Sequence, residues 1–155
     1  MDLDPFDNAI SVPGSLSVAP MTAAAVTVET YSTCGIPPNT VHPLVMYHGS
    51  NTQFHPDLFR AQVDRLAQNI NQRLAQDENA RSSGIIVNSN GSIQGEGYEL
   101  LLHAAEALEI SVILIMGHDR LYSMMTNHYK KLQQQLQPTS TTTIPKVLKL
   151  SLIHI

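Results

Sequence analysis

The sequence predicts an α/β fold: a parallel sheet with helices on both faces. Two observations predict it. Short runs of apolar, often β-branched residues alternate with longer amphipathic stretches, in the order β–α–β–α–β–α–β. Strands apolar on both faces are buried on both, which is the mark of a parallel sheet covered by helices. At 155 residues, 43% hydrophobic and 14% charged, the chain can build the core of one domain.

The elements follow in order. Residues 1–20 are turn-rich, punctuated by Asp4-Pro5 and Pro13-Gly14, with Ala9 to Val12 as a brief extended piece. Residues 21–42 read as a Thr/Ala/Pro-rich loop, and Pro43 to Tyr47 as a short buried strand. A helix begins at Pro56 or Asp57 and runs to about Gln76. Its apolar positions Phe59, Val63, Leu66, Ile70 and Leu74 form one stripe, with Arg60, Asp64, Arg65, Gln68, Asn69 and Gln72 opposite. Gly84 to Asn88 is a β-branched strand, followed by a loop with Gly91, Gly95 and Gly97. Glu96 to Leu108 is a helix, Ile110 to Met116 a buried strand, and Gly117 to about Gln137 a third helix ended by Pro138. Thr139 to Thr143 is a polar linker, and Pro145 to Leu150 starts another strand.

Composition removes several function classes. A net charge of −4 argues against a partner held by bulk positive charge. A lone Cys34 supports neither a disulfide framework nor a thiolate metal cage. The seven histidines show no metal-ligand spacing. No apolar run reaches the ~18 residues of a membrane span. The acidic start lacks the basic and apolar regions of a signal peptide, so a reducing, intracellular setting is expected.

A fold of this class often holds nucleotide, yet the phosphate-loop pattern G-x-x-x-x-G-K-[ST] is absent from the sequence. The stretch Gly91 to Gly97 lies between a strand and a helix start. Its glycines either ease a tight turn or bring backbone N–H groups to an anion. Asp2 and Asp4, two apart at a strand end, would point the same way, which suits Mg²⁺ or proton abstraction. The alternative is a solvated, frayed terminus. His118-Asp119-Arg120 echoes a kinase catalytic loop without its companion motifs, and reads better as a helix start with Asp119 at the positive end.

Several segments together resemble one family, the RNA 5′-hydroxyl kinases of the Clp type. Asp2-Leu3-Asp4 with Ile10-Ser11-Val12-Pro13-Gly14 resembles its D-x-D…S-[IV]-P-G stretch. Pro43 to Ser50 resembles P-L-V-Y-x-x-G, with one extra residue before Tyr47. Ser83 to Gly91, with Gly95-Glu96-Gly97-Tyr98, resembles S-G-x-I-[IV]-N-T-x-G-W-x-x-G-x-G-Y. Gly117 to Tyr122 resembles Q-E-R-L-Y. Order and spacing agree over about residues 2–149.

The resemblance implies a P-loop NTPase-like α/β domain that is incomplete, lacking the Walker A strand, loop and helix. Residues 1–149 would be the partial kinase-like domain. Residues 150–155 resemble a translated library adapter, the other reading being an apolar terminal strand. The parent would bind ATP and Mg²⁺, with Asp2 and Asp4 at the cofactor and Asp4 as metal ligand or proton acceptor. Asn88, Gly91, Ser92, Gly95 and Gly97 would form the lid loop over the RNA end. Partners would be RNA and other cleavage and polyadenylation subunits, with no membrane, in the nucleus, where the family also serves tRNA splicing.

Departures weigh against catalysis. The lid tryptophan that stacks on RNA is Ser92, and the family's usual glycine and glutamine after the acidic pair are Phe6 and Asp7. The chain itself is expected to bind no ATP and transfer no phosphate. It is also expected to fold poorly, because an absent first strand would leave an open parallel edge. A non-catalytic, ATP-binding scaffold subunit is the competing role for the parent.

Overall fold

The computed structural model describes residues 1–21, 42–49, 55–135 and 144–150. The chain divides into two compact units, 1–104 and 105–155. The loop expected over 21–42 lies almost wholly outside the described residues, as do Pro138, the linker 139–143 and residues 151–155.

The first unit opens with a strand the sequence did not announce, β1 (Ser15–Val18). It pairs antiparallel with β2 (Leu44–Tyr47), Ser15 opposite Tyr47 and Val18 opposite Leu44. This corrects the all-parallel expectation. The signal was missing because Ser15 and Ser17 are polar yet buried, at 1% and 0% exposure. The Ser17 hydroxyl donates to Asn8 Oδ1 at 2.9 Å, which satisfies it inside. The predicted extended piece over Ala9 to Val12 is instead a bend held by Asn8, whose Oδ1 also accepts from the N–H groups of Ile10 and Ser11 at 2.9 and 2.7 Å.

Gly14 turns the chain into β1. Its φ of +84° is a conformation L side chains resist. Its carbonyl accepts from both His48 N–H and Gly49 N–H, at 2.8 and 3.0 Å. One residue thus ties the Ser-Val-Pro-Gly stretch to the segment after β2.

Helix α1 (Pro56–Gln76) lies where the periodicity predicts, with Pro56 in its first turn. It buries Phe59, Val63, Leu66, Ala67 and Ile70. Gln62 fastens it to β2: its amide donates to Tyr47 O at 2.7 Å, and its Oε1 meets His48 Nδ1 at 2.8 Å. At Asp77 the backbone turns extended and the carboxylate accepts from Asn79 and Ala80 N–H, capping a second helix, α2 (Glu78–Ser83). That helix was not predicted, because six residues are too few to show a period.

Gly84, at φ +72°, ends α2. The predicted strand from Gly84 to Asn88 is reduced to one parallel bridge, Asp2 to Asn88. Its first residue is spent on the helix end, and Ile86 is 89% exposed. Helix α3 (Glu96–Ala107) follows, burying Gly97, Leu100 and Ala104. Arg60 meets Glu96 at 2.6 Å, and Asp64 meets His103 at 2.9 Å. Partners advance together along both helices, so α1 and α3 run parallel.

In the second unit, β3 (Val112–Met116) pairs parallel with β4 (Lys146–Leu150), as predicted, through α4 (Asp119–Gln135). The second strand takes in Leu150, the first residue of the expected tail, opposite Met116. Ile115 and Met125 are buried, whereas Val112, Leu114 and Met116 are exposed. Among the described residues, then, the expected cover on both faces is present on one. His118 Nδ1 accepts from Leu121 N–H at 3.2 Å and caps α4.

Lys149 bonds the carboxylate of Asp119 at the start of α4 and holds its pKa below the ordinary 3.8, with His118 adding to the effect. A carboxylate whose pKa is depressed by folding adds stability above its unfolded value, and loses it as pH falls through the folded one. Lys149→Met is therefore expected to lower the urea midpoint at pH 7. The gap from the unaltered chain should close as pH falls below 3.8, the ordinary value. A gap independent of pH would show that the pair contributes nothing.

Candidate functional site

Residues 1–3 form the middle of the first unit's pairing. Asp2 and Ser17 exchange backbone hydrogen bonds at 2.7 and 2.9 Å. On the other side Leu3 N–H donates to Asn88 O at 2.9 Å, and Asn88 N–H to Met1 O at 3.0 Å. Met1 and Asp2 therefore join β1 to the segment after α2, antiparallel to one and parallel to the other. The terminal amine donates to Ile86 O, and burial lowers its pKa against the raising influence of Asp2.

The two predicted carboxylates do different things. Asp2 is 2% exposed. Its Oδ1 accepts from Asp4 N–H at 3.0 Å and Asn88 Nδ2 at 3.1 Å, and its Oδ2 from Ala9 N–H at 2.9 Å. Those three donors occupy both oxygens. Asp4 is half-buried, and its Oδ1 accepts from Phe6 N–H at 2.9 Å in a tight Asx turn. Among the described residues, Oδ2 of Asp4 has no hydrogen-bond donor.

The parallel bridge fixes where the chemistry can sit. Asp4 lies two residues beyond Asp2, and Asn90 two residues beyond Asn88. Both leave the same end of parallel-paired segments, the carboxyl end, where α/β folds hold ligands.

The glycine loop is closed upon itself. Asn88 enters it, and Asn90, at 7% exposure, accepts from Ser92 N–H at 3.2 Å. Gly95 has φ +54° and its carbonyl accepts from Tyr98 N–H at 3.1 Å. Gly97 is pressed against Ser92: a Cβ there would lie 2.6 Å from Ser92 O and 2.7 Å from Ser92 Cβ. Gly91 and Gly95 border open space. Helix α3 opens with Glu96 and Glu99 in its first turn. These carboxylates oppose an anion at the helix's positive end, although Arg60 offsets Glu96. Burial, helped by Glu99, pushes the Tyr98 phenol above its ordinary value.

The residues fit Mg²⁺ in a limited way. Mg²⁺ is commonly held by one or two carboxylates with substrate phosphates and water, and Asp4 supplies one open oxygen. Asp2, 2% exposed and already accepting three hydrogen bonds, is the less accessible of the two carboxylates. Among the described residues no group of three or more His, Cys, Asp or Glu could hold a metal. A cavity of about 760 Å³ lined by Met1, Ile10, Val18, Leu44, Ile70 and Ile86 reaches Asp2 and Asn88 but neither Asp4 nor the loop 89–97. It lies apart from the candidate chemistry.

Sequence reasoning missed Asn8, which organises the bend after the acidic pair, and the role of Asn88 as partner of Asp2. The only signal for either was a short polar side chain among turn residues, and that is not specific.

A family model described as the mRNA cleavage and polyadenylation factor CLP1 P-loop matches residues 1–151. The chain is 34% identical over 126 residues to an Arabidopsis thaliana relative named protein CLP1 homolog, covering 81% of this chain and 27% of the relative. It is 35% identical over 128 residues to protein clpf-1 of Caenorhabditis briggsae, covering 79% and 27%. A Bos taurus relative named polyribonucleotide 5′-hydroxyl-kinase Clp1 is 32% identical over 124 residues, covering 79% and 28%. The chain thus spans little more than a quarter of the length of these relatives.

Proposed function

Because the chain belongs to the CLP1 P-loop family of mRNA cleavage and polyadenylation factors, we propose that it forms the acidic segment and lid loop of an ATP-binding, RNA 5′-hydroxyl kinase-like subunit. The subunit would act in the nucleus in mRNA 3′-end processing and in tRNA splicing, with RNA and other cleavage-factor subunits as partners. One observation carries the reading: Asp4 and the loop 89–97 leave the same end of two parallel-bridged segments.

Phosphoryl transfer demands positioning and charge neutralisation more than covalent chemistry from the protein. ATP with Mg²⁺ would supply the transferred group. Asp4 would hold the metal, or accept the proton of an RNA 5′-hydroxyl, through its open oxygen. The loop from Asn88 to Gly97 would cover the RNA end. The sequence lacks G-x-x-x-x-G-K-[ST], so 1–155 alone is expected to transfer no phosphate.

A second reading, a non-catalytic ATP-binding subunit, is favoured by Ser92. No aromatic residue occurs in 89–97, and Ser92 is packed on Gly97, so the loop offers no aromatic face for an RNA base to stack on.

The test is a segment swap in which residues 1–149 replace the matching stretch of the Arabidopsis relative. The chimera is expected to bind Mg²⁺·ATP. Asp4→Asn should weaken the Mg²⁺-dependent part of that binding by about tenfold, the loss of one charged ligand. Phosphorylation of a 5′-hydroxyl oligoribonucleotide by the chimera selects the kinase over the scaffold. Failure to bind ATP, or indifference to Asp4→Asn, would sink the proposal.

A further inference from the structure

We propose that Asp2 is a positioning residue, whose buried carboxylate sets the start of the 88–97 loop against Asp4. Its functional meaning rests on the reading above; its physical basis does not.

The carboxylate touches the Asp4 turn, the start of the loop and the bend after the acidic pair. Through Oδ1 it accepts from the backbone of Asp4 and from the side chain of Asn88, where the loop begins. Through Oδ2 it accepts from Ala9, in the bend that Asn8 organises. Asp2 is 2% exposed, so water cannot replace these partners cheaply. The backbone already pairs Asn88 with Met1 and Leu3. What the carboxylate adds is direction. A parallel bridge puts the Asp2 and Asn88 side chains on the same side, and their 3.1 Å contact orients the chain just before the loop departs. The same oxygen holds the Asp4 amide and so orients the turn that carries the Asp4 carboxylate. Charged acceptors make stronger and more directional hydrogen bonds than neutral ones. An acid in the interior is therefore suited to holding two loop segments at a fixed spacing.

The oxygens can be separated experimentally. In Asp2→Asn the amide oxygen can still accept from Asp4 and Asn88, while the new NH₂ faces Ala9 N–H, which loses its acceptor. In Asn88→Ala only the loop contact is lost. Amide hydrogen exchange of the 155-residue chain reads both without nucleotide.

Asn88→Ala is expected to speed exchange at Ser92 and Gly97 about tenfold, with Ala9 and the α1 core amides Val63 and Leu66 within about twofold of the unaltered chain. Asp2→Asn is expected to do the reverse, speeding Ala9 about tenfold and leaving Ser92 and Gly97 within about twofold. Asp2→Ala should speed both. If Asp2→Ala does not fold, the other two variants still decide. Unchanged exchange at Ser92 and Gly97 in Asn88→Ala would overturn the proposal. So would uniform acceleration that includes Val63 and Leu66, because that is the signature of a merely structural residue. The exchange pattern and the segment swap can fail separately, so the loss of one reading is not the loss of the other.

Discussion

Leu66→Ala is expected to lower unfolding free energy by about 2–5 kcal/mol, the range for a buried leucine cut to alanine. Leu66 and its neighbour Val63 are both 0% exposed, and Phe59 and Ile70 complete the buried stripe of α1. The loss combines the transfer of the missing methyl groups with the void left behind, and α1 cannot slide to fill it while Gln62 is tied to β2. Leu58→Ala serves as the control, since Leu58 is 44% exposed and should change stability by no more than about 0.5 kcal/mol. Urea unfolding followed by circular dichroism measures both. Equal effects at the two sites would mean that α1 does not pack through this stripe.

Gly97→Ala is the second large effect, about 2 kcal/mol of destabilisation from overpacking. Alanine in a helix is ordinarily better than glycine by about 1 kcal/mol, so the sign alone is informative. Here the added methyl would sit 2.6 Å from Ser92 O and 2.7 Å from Ser92 Cβ. The first of these is backbone and cannot rotate away, so the loop must open. Adding Ser92→Gly removes the side-chain part of the clash and should recover only a fraction of the loss. A stabilised Gly97→Ala chain, or full recovery in the double variant, would show that the loop does not close on Gly97.

Much of this architecture was readable from local pattern. Helices α1, α3 and α4 stand within a residue or two of their expected limits, because an apolar stripe at period 3.6 is a property of one segment alone. The parallel pairing of β3 with β4 followed from apolar strands joined by a helix. The motif blocks matched to the Clp-type kinases lie in a chain that belongs to that family. Where local pattern was weak, the expectation moved. β1 hides its burial behind two serines, and α2 is too short for periodicity to show. The 84–88 run looked like a strand by composition, but a strand needs neighbours, and its described pairing is a single bridge.

Residue spacing alone put Asp2 and Asp4 together as a pair. The fold separates them, burying Asp2 as an acceptor for three donors and, among the described residues, leaving one oxygen of Asp4 without a donor. One of those donors is Asn88, 86 positions away in the chain. Helices α1, α3 and α4, the α/β class and the family were legible in the amino-acid order alone, because those depend on periodicity and short ordered motifs. The different surroundings of the two carboxylates came from the folded chain, because a carboxylate's availability depends on the donors that distant segments bring to it.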